Sequence, residues 1–202
     1  MLYSVNEIFY SIQGEGYWAG TPAVFIRLAG CNLQCAFCDT DFSVKQHLDE
    51  EELLAEGIHL SKPDKVYSPI CVVTGGEPTT QSIDGLVGCL FTSFYVQIET
   101  NGTQPGYLKD LRHQYPFWLT VSPKHFDREE EDSVKMANEV KIVFENPSTI
   151  KLWEKIIPSK LFLKRRAFIQ PCSEDYGPAI EYVKKNPQWR LSVQIHKCIG
   201  AR

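Results

Sequence analysis

The stretch AVFIRLAGCNLQCAFCDTDF (residues 23–42) joins an apolar segment to a group of three cysteines. Residues 23–29 are mostly apolar and predict a buried strand. Cys31, Cys35 and Cys38 follow directly, with the spacing Cys-x3-Cys-x2-Cys. Parallel α/β folds carry their chemistry in the loops that leave the carboxyl ends of the strands. The spacing therefore places three thiols where a reactive site is expected.

Outward from this stretch, short apolar runs alternate with amphipathic segments. This order predicts a parallel α/β sheet with right-handed crossovers. The strands are too few to close an eight-stranded barrel, so we predict one domain over residues 1–202, a partial, open TIM-like barrel of about six parallel strands. The acidic run DREEED (127–132) is predicted to be a solvated loop. Strands are predicted at 23–29, 70–75, 95–100, 117–122, 140–144, 167–170 and 191–195, and helices at 49–57, 82–91, 147–156 and 173–185.

The composition limits the classes of protein that fit. With 43% hydrophobic and 23% charged residues, a buried core is expected. The formal charge of -4 implies no broad basic surface for nucleic acid. The longest uncharged stretch, 85–98, is shorter than the roughly 20 residues of a membrane span. Seven cysteines without a secretory signal favour a reducing cytoplasm, with a metal or catalytic role for the clustered ones.

Two kinds of metal site suit three clustered thiolates. A structural zinc site is tetrahedral and closed, so its fourth ligand would have to come from elsewhere in the chain. An iron–sulfur cluster usually takes four cysteines, and three would leave one iron open and reactive. Both remain open from the residues alone. The candidates for a distant fourth ligand are Cys71, Cys172, His47 and His196.

The cysteine motif, with Phe37 before its last cysteine, resembles that of the radical S-adenosylmethionine (SAM) enzymes. The resemblance implies a [4Fe–4S] cluster whose open iron chelates the methionine part of SAM. It also implies an electron donor such as flavodoxin or ferredoxin, and a 5′-deoxyadenosyl radical as the oxidant. The segment TGGEP (74–78) resembles the superfamily's Gly-Gly-Glu motif, which binds the methionine amine. Glu77 would then accept hydrogen bonds from an ammonium group.

The segment before the cysteines indicates the substrate. Gln13 and Glu15 flank Gly14, and an amide and a carboxylate on such a turn can bind the edge of a heterocycle. Arg27 lies inside the predicted strand 23–29, where a charge is costly unless it is paired. Its guanidinium suits a carboxylate held by two hydrogen bonds. A protein carboxylate and a substrate carboxylate both remain open as its partner.

From NEIFYSIQGEG (6–16) to HKCIGAR (196–202) the chain resembles the 7-carboxy-7-deazaguanine synthase family. The resemblance implies a carbon–nitrogen lyase that converts 6-carboxy-5,6,7,8-tetrahydropterin to 7-carboxy-7-deazaguanine with loss of ammonia, in queuosine and 7-deazapurine biosynthesis. Hydrogen is taken from C6 of the pterin and later returned. Mg2+ is implied as a further cofactor, and homodimers are frequent among small radical enzymes. The alternatives are an activase that places a glycyl radical on a partner protein, and a non-enzymatic zinc-binding module.

The resemblance also assigns the site residues. The last stretch, 191–202, is predicted to be a strand followed by a tail too short to form an element, with the terminal carboxylate of Arg202 on the substrate. The assignments are Cys31, Cys35 and Cys38 to the cluster; Ile12, Gln13, Gly14, Glu15, Arg27, Thr74, His196 and Arg202 to the substrate; Phe37, Cys38, Asp39, Gly75, Gly76, Glu77, Ser122, Pro123, Lys124, Gln170, Pro171, Cys172 and Ser173 to SAM; and Thr40 to Mg2+.

Overall fold

A computed structural model describes residues 1–38, 40–62, 69–172 and 175–201 of the chain. Within these ranges one mixed sheet has the strand order β3-β1-β2-β4-β5-β6-β7-β8-β9. The strand β1 pairs antiparallel with β2 and β3, and every pair from β2 to β9 is parallel. The strands are β1 (Tyr3–Ile12), β2 (Pro22–Leu28), β3 (Gln46–Leu48), β4 (Ile70–Gly75), β5 (Tyr95–Thr100), β6 (Trp118–Val121), β7 (Glu139–Phe144), β8 (Ala167–Pro171) and β9 (Arg190–Leu191).

Helices connect the parallel strands, as the alternating pattern predicts. The sheet ends at β3 and β9 rather than closing, so the prediction of an open, partial barrel is confirmed. None of the helices in the described ranges has the length and apolarity needed to cross a bilayer. The helices are α1 (Glu50–Ser61), α2 (Asp84–Leu90), α3 (Pro105–Gln114), α4 (Arg128–Met136), α5 (Pro147–Glu154), α6 (Ser159–Leu163), α7 (Gly177–Lys185) and α8 (Ile195–Ile199), and Pro78–Thr80 form a 3-10 turn.

The two faces of the sheet differ in chemistry. On β2, Val24, Ile26 and Leu28 are fully buried in the core that packs under the helices. Successive strand residues face opposite sides, so Phe25 and Arg27 point to the other face, the inner face of the open barrel. Polar residues lie on this inner face near the carboxyl ends of the strands. That edge of the sheet can therefore bind a polar ligand. They are Arg27, Thr74, Glu99, Thr120, Lys141 and Gln170.

Residues 128–132 of the acidic run are helical, so the prediction of a solvated loop was wrong. The Asp127 side chain accepts a hydrogen bond from the backbone N–H of Glu130 at 2.9 Å and caps α4. Acidic residues in the first turn complement the helix dipole, which is why the run starts a helix. Glu130, in the first turn of this helix, is completely buried.

The end of the chain also differs from its prediction. The strand β9 is only two residues long, and α8 occupies Ile195–Ile199 where a strand end and a tail were expected. The backbone N–H of Ile195 donates to the carbonyl of Gly14 at 3.0 Å, and this bond turns the chain toward the β1–β2 connection. Gly200 then ends the helix with a positive φ of 65°. The stretch therefore reaches the cavity as a helix.

Candidate active site

A cavity of about 480 Å3 opens at the carboxyl edge of the sheet. Its volume lies in the range of small-molecule sites. Residues from β1, β2 and the ends of β4 to β8 line it, together with the cysteine loop. The lining includes these predicted site residues: Ile12, Gln13, Gly14, Glu15, Arg27, Cys31, Cys35, Phe37, Cys38, Thr40, Thr74, Gly75, Gly76, Ser122, Lys124, Gln170, Pro171, Cys172 and His196.

The three cysteines lie at one end of this cavity, which we call the cluster end: Cys31, Cys35, Phe37, Cys38, Ser122 and Lys124. The backbone N–H of Gly30 donates to the carbonyl of Phe42 at 2.9 Å and closes the loop that carries them. A side chain at Gly76 would collide with the carbonyl of Gly30 and with Cys31. The glycine after β4 therefore lets the cysteine loop lie directly on the end of the sheet.

The thiols suit a multi-iron cluster better than a single ion. Within the described ranges, no group of three His, Cys, Asp or Glu side chains converges to hold one metal ion. A cubane does not need such convergence, because each thiolate binds its own iron. Burial raises the pKa of Cys35; Lys124 opposes this rise, and the neighbouring thiols of Cys38 and Cys31 add to it. All three cysteines line the same cavity.

The distant zinc ligands considered from the sequence do not complete a closed site. Cys71 is fully buried in β4, and burial raises the pKa of its thiol well above the usual range. His47 lies on β3 at the edge of the sheet, where its Nδ1 is 3.4 Å from the hydroxyl of Ser4. Neither side chain lines the cavity. Cys172 and His196 do line it, but Cys172 follows the end of β8 and His196 lies on α8, so neither comes from the cysteine loop.

Lys124 connects the cysteine loop with the end of β6. Its Nζ lies 5.9 Å from the centre of the Phe37 ring and donates to the hydroxyl of Ser122 at 2.8 Å. Burial lowers the pKa of Lys124, and the positive charge of Lys141 lowers it further. Pro123, between Ser122 and Lys124, is buried and does not line the cavity. Of this predicted SAM segment, only the two flanking residues reach the ligand space.

Glu77 does not occupy the place predicted for it. Its carboxylate is fully buried and lies outside the cavity lining. One oxygen accepts from the hydroxyls of Thr79 and Thr100, both at 2.7 Å, and the other from the backbone N–H of Asn101 at 2.6 Å. Burial raises the pKa of Glu77 despite these bonds. The side chain joins the ends of β4 and β5, and the neighbouring Gly75 and Gly76 face the cavity.

At the other end, which we call the substrate end, are Gln13, Glu15, Arg27, Thr74, Glu99 and Lys141. Gln13 Nε2 donates to Glu99 Oε1 at 3.1 Å, and its Oε1 accepts from the backbone N–H of Glu15 at 3.2 Å. Thr74 donates to the second Glu99 oxygen at 3.4 Å. Glu99 therefore organises two of the predicted substrate ligands.

Glu15 and Lys141 form a buried ion pair at this end. Glu15 also accepts hydrogen bonds from Gln194 at 2.8 Å and Gln170 at 3.4 Å. Burial alone would raise the pKa of Glu15, but Lys141 and Gln194 lower it well below its usual range. Burial likewise disfavours the charge on Lys141, yet Glu15 and Glu99 raise its pKa overall. Both groups are therefore charged at neutral pH.

Arg27 is held by a carboxylate that the sequence had not identified. Its Nε donates to Glu7 Oε1 at 2.8 Å, and the two residues lie opposite each other on β2 and β1. The guanidinium carbon lies 5.8 Å from the centre of the Phe9 ring, which stacks on Phe25 at 4.9 Å. One side of Arg27 is thus fixed by an acid and an aromatic ring, while the residue still lines the cavity.

The remaining predicted residues divide into two groups. His196, on α8, packs so closely on Gly14 that any side chain there would collide with its ring. This contact brings the end of the chain to the Gln13–Glu15 turn. Asp39, Ser173 and Arg202 lie outside the described residues.

Sequence reasoning missed several polar residues that line the substrate end. Glu99, Lys141 and Thr120 face the cavity from β5, β7 and β6, and Gln194 reaches it from the segment before α8. Glu99 and Lys141 are charged residues within predicted strands, at 95–100 and 140–144. Like Arg27, both are charges inside a buried strand, which must be paired, and that signal in the sequence marks them.

The chain is similar to known proteins over its full length. The Radical SAM superfamily matches residues 25–162. A 7-carboxy-7-deazaguanine synthase from Bacteroides thetaiotaomicron is 41% identical, with 100% of both chains covered. A protein of the same name from Burkholderia multivorans is 36% identical, with 99% of both covered. This chain belongs to the 7-carboxy-7-deazaguanine synthase family.

A solved structure agrees with this membership. The crystal structure of QueE from Escherichia coli matches with a TM-score of 0.71 and 30% identity, covering 97% of this chain and 95% of that one. The resemblance stated from the motifs is therefore confirmed. This member of the 7-carboxy-7-deazaguanine synthase family is a radical SAM lyase, with a [4Fe–4S] cluster and SAM as its cofactors. The cluster end carries the thiols that such cofactors require.

Proposed function

We propose that the chain converts 6-carboxy-5,6,7,8-tetrahydropterin to 7-carboxy-7-deazaguanine with loss of ammonia. The observation that carries this proposal is that one cavity contains both the thiols that can hold the cluster and the polar residues that can bind the substrate. Three thiols lie at its cluster end, and an arginine, two carboxylates and a lysine lie at its substrate end. A non-enzymatic zinc module would need no such polar chamber, and an activase acting on a protein would have no use for the buried pair Glu15–Lys141.

At the cluster end, Cys31, Cys35 and Cys38 would each bind one iron. When bound, the cluster and SAM supply the 5′-deoxyadenosyl radical that abstracts hydrogen from C6 of the pterin. Phe37, Gly75, Gly76 and the Ser122–Lys124 segment would hold SAM beside the cluster. Gln170, Pro171, Cys172 and Ser173, at the end of β8, would complete its site, and the described members of both sets line the cavity, except Pro123.

At the substrate end, Arg27 would bind the pterin carboxylate. Glu7 occupies its Nε, so the terminal Nη groups are the ones directed to the substrate. Because Glu7 and Phe9 already fix the guanidinium, little side-chain entropy is lost when the substrate binds. The charge-assisted hydrogen bonds would then align C6, which carries the carboxylate, with the radical source.

Glu15 and Gln13 would bind the pyrimidine edge of the pterin. That edge offers N–H donors and a carbonyl acceptor, which match a carboxylate and an amide. Lys141 keeps Glu15 ionised, and so keeps it a hydrogen-bond acceptor. Ile12, Gly14, Thr74 and His196 would complete this site, together with the terminal carboxylate of Arg202.

Thr40 would provide a hydroxyl ligand to Mg2+, between the two ends of the cavity. Mg2+ prefers oxygen ligands and usually keeps several waters, so one protein hydroxyl plus the substrate carboxylate suits it. Thr40 lines the cavity, as does its neighbour Asp41. Asp39, on the other side of Thr40, is assigned to SAM through the family resemblance.

Three broader features belong to the same proposal. We propose that residues 1–202 form one radical SAM domain, which the continuous sheet supports. All seven cysteines are free thiols, which supports a reducing cytoplasm as the location. An electron donor such as flavodoxin or ferredoxin and a homodimeric state rest on the family resemblance, and light scattering of the purified protein tests the dimer.

The deciding experiment is an anaerobic turnover assay. Protein reconstituted with iron and sulfide is incubated with SAM, dithionite, Mg2+ and the carboxypterin, and products are read by mass spectrometry. We expect 7-carboxy-7-deazaguanine and one equivalent of ammonia. Cleavage of SAM to methionine and 5′-deoxyadenosine without any deazapurine would reject the proposed substrate. Binding of zinc without iron or sulfide would reject the radical chemistry.

A further inference from the structure

Glu130 is a buried carboxylate that binds backbone rather than a side-chain cation. It lies in the first turn of α4 and has no exposed surface. Its Oε1 accepts the backbone N–H of Lys124 at 2.7 Å, and its Oε2 accepts that of His125 at 2.7 Å. Burial raises the pKa of Glu130 to about 7, and the hydrogen bonds from these two backbone N–H groups oppose that rise. Two adjacent peptide groups are thus held by a single side chain.

The helix that carries Glu130 is itself firmly attached. The Asp127 side chain caps its first turn, and the hydroxyl of Ser133 donates to the carbonyl of Gly102 at 2.6 Å. Val134, one turn after Glu130, is fully buried in the core. Glu130 does not line the cavity. It therefore acts from a fixed position behind the cavity wall.

The segment that Glu130 binds connects β6 to α4. Its beginning is fixed, because the backbone N–H of Ser122 donates to the carbonyl of Thr100 at 2.8 Å. Pro123 follows and has no N–H to donate. The amides of Lys124 and His125 are the next backbone donors, and Glu130 accepts both. The conformation of the segment is thus set by Thr100 at one end and Glu130 at the other.

We propose that Glu130 is a positioning residue for SAM, which holds Ser122 and Lys124 in the shape that contacts the cofactor. This inference rests on the proposed function, which assigns the segment to SAM. With the backbone fixed, the Lys124 ammonium is directed to the Ser122 hydroxyl and over the Phe37 ring, both at the cluster end. Without Glu130, the peptide after Pro123 would be free to rotate and would carry the lysine out of the cavity wall.

The test compares Glu130→Gln with Glu129→Gln. Glutamine at 130 keeps one acceptor oxygen but turns the N–H donors of its amide toward the second backbone N–H. Glu129 is an exposed neighbour on the same helix. The dissociation constant of SAM is measured anaerobically by equilibrium dialysis on cluster-loaded protein, without pterin. Hydrogen–deuterium exchange of residues 122–126 is measured on the same samples. For Glu130→Gln we expect at least 10-fold weaker SAM binding and faster exchange, with iron content near wild type. The melting temperature should fall moderately, because one buried N–H loses its acceptor.

The matched variant Glu129→Gln should equal wild type in every measurement. Unchanged SAM affinity in Glu130→Gln, or an equal loss in both variants, would overturn the proposal. If Glu130→Gln does not fold, the wild type still decides, because Lys124 and His125 must be protected from exchange and unprotected amides would contradict the inference. Glu130→Asp, which retains the charge, should bind SAM more tightly than Glu130→Gln.

The same measurements separate this inference from the proposed function. SAM binding needs no pterin, so a chain that forms no deazapurine but loses SAM affinity in Glu130→Gln would support the inference and reject the proposed substrate. Normal deazapurine formation with wild-type SAM affinity in Glu130→Gln would reject the inference alone.

Discussion

At the cluster end of the cavity the three cysteines lie within eight consecutive residues, whereas the polar side chains of the substrate end come from five separate segments. The cysteines need only one loop, closed by Gly30 and seated on Gly76. The substrate end needs β1, β2, β4, β5 and β7 in register, and each charge there has a partner on another strand. A local motif can therefore fail without loss of the fold, while the substrate end is part of the fold itself.

The largest expected effect is at the cluster end. Replacing Cys35 with alanine removes one iron ligand, so we expect loss of the cluster absorbance and of all SAM cleavage, with a melting temperature of the apo protein near wild type. Cys89, half-buried on α2, is the matched thiol, and Cys89→Ala should keep the cluster. Iron content and 5′-deoxyadenosine formation give the answer. Full activity in Cys35→Ala would remove this residue from the site.

Breaking the buried pair at the substrate end should lower the stability of the fold, whereas the loss of Cys35 should leave stability unchanged. Lys141→Met leaves the Glu15 carboxylate buried and unpaired, which costs about 3–5 kcal/mol of unfolding free energy. The double variant Glu15→Gln/Lys141→Met removes both charges of the pair and should recover part of that stability, measured by denaturant unfolding. Glu99 still loses the nearby charge of Lys141, so the recovery is not complete. It should still cleave SAM and form no deazapurine. A single variant as stable as wild type would mean that the pair is not buried as described.

Arg27 tests whether a strand residue can serve the substrate without supporting the fold. Charge-assisted hydrogen bonds contribute roughly 1.5–3 kcal/mol each, so Arg27→Met should raise the KM for the carboxypterin by about 10- to 100-fold. SAM cleavage without substrate should continue. Glu7→Gln keeps the shape of the partner and should raise KM less. If Arg27→Met instead mainly lowers the melting temperature, the role of Arg27 is to neutralise the charge of Glu7 within the fold.

Thr40 lines the cavity just after the last cluster cysteine in the chain, and its replacement should have a smaller effect. Thr40→Val preserves shape but removes the hydroxyl, so the stimulation of turnover by Mg2+ should decrease while the cluster remains. Steady-state rates measured over a Mg2+ series in both proteins provide the comparison. An identical Mg2+ dependence would exclude Thr40 as a ligand.

The smallest expected effect lies at the opposite, amino-terminal edge of the sheet. Glu139 is buried there beside Tyr17 and Trp118, and burial raises its pKa to about 7. Because the carboxyl pKa is higher in the folded chain than in the unfolded chain, Glu139 is protonated in the folded chain and ionised in the unfolded chain at pH values between the two pKa values. Folding in that window therefore takes up a proton. This group therefore favours folding more at pH 5.5 than at pH 8.

Glu139→Gln removes that proton uptake. The melting temperature of the variant relative to wild type should therefore be more favourable at pH 8 than at pH 5.5, which differential scanning fluorimetry of the apo proteins can measure. A difference that is the same at both pH values would mean that Glu139 does not titrate in this window.

The sequence was most informative where neighbours in the chain act together. The cysteine spacing, the apolar strand 23–29 and the glycines after β4 are local signals. The open parallel barrel was predicted from the alternation of apolar runs with amphipathic segments along the chain. It was least informative for long-range pairs. Glu7 opposite Arg27, and Lys141 beside Glu15, depend on strand register, which periodicity does not specify.

Two glutamates show why a motif alone does not give a side chain's role. Glu77 was predicted to meet a ligand, yet four donors from neighbouring residues occupy its carboxylate. Glu130 was predicted to be solvated, yet it is buried against two peptide groups. Buried backbone N–H groups need an acceptor, and a carboxylate supplies one wherever the fold places it beside them. That placement depends on tertiary structure, which a sequence motif does not contain.

The central claim is that both ends of the cavity act on one molecule of substrate. Carboxypterin deuterated at C6 tests this most directly, with SAM recovered after anaerobic turnover and analysed by mass spectrometry. If the cavity aligns C6 with the radical source, deuterium from the pterin will appear in the recovered SAM while 7-carboxy-7-deazaguanine accumulates. Deazapurine formed without any deuterium in SAM or 5′-deoxyadenosine would contradict the account.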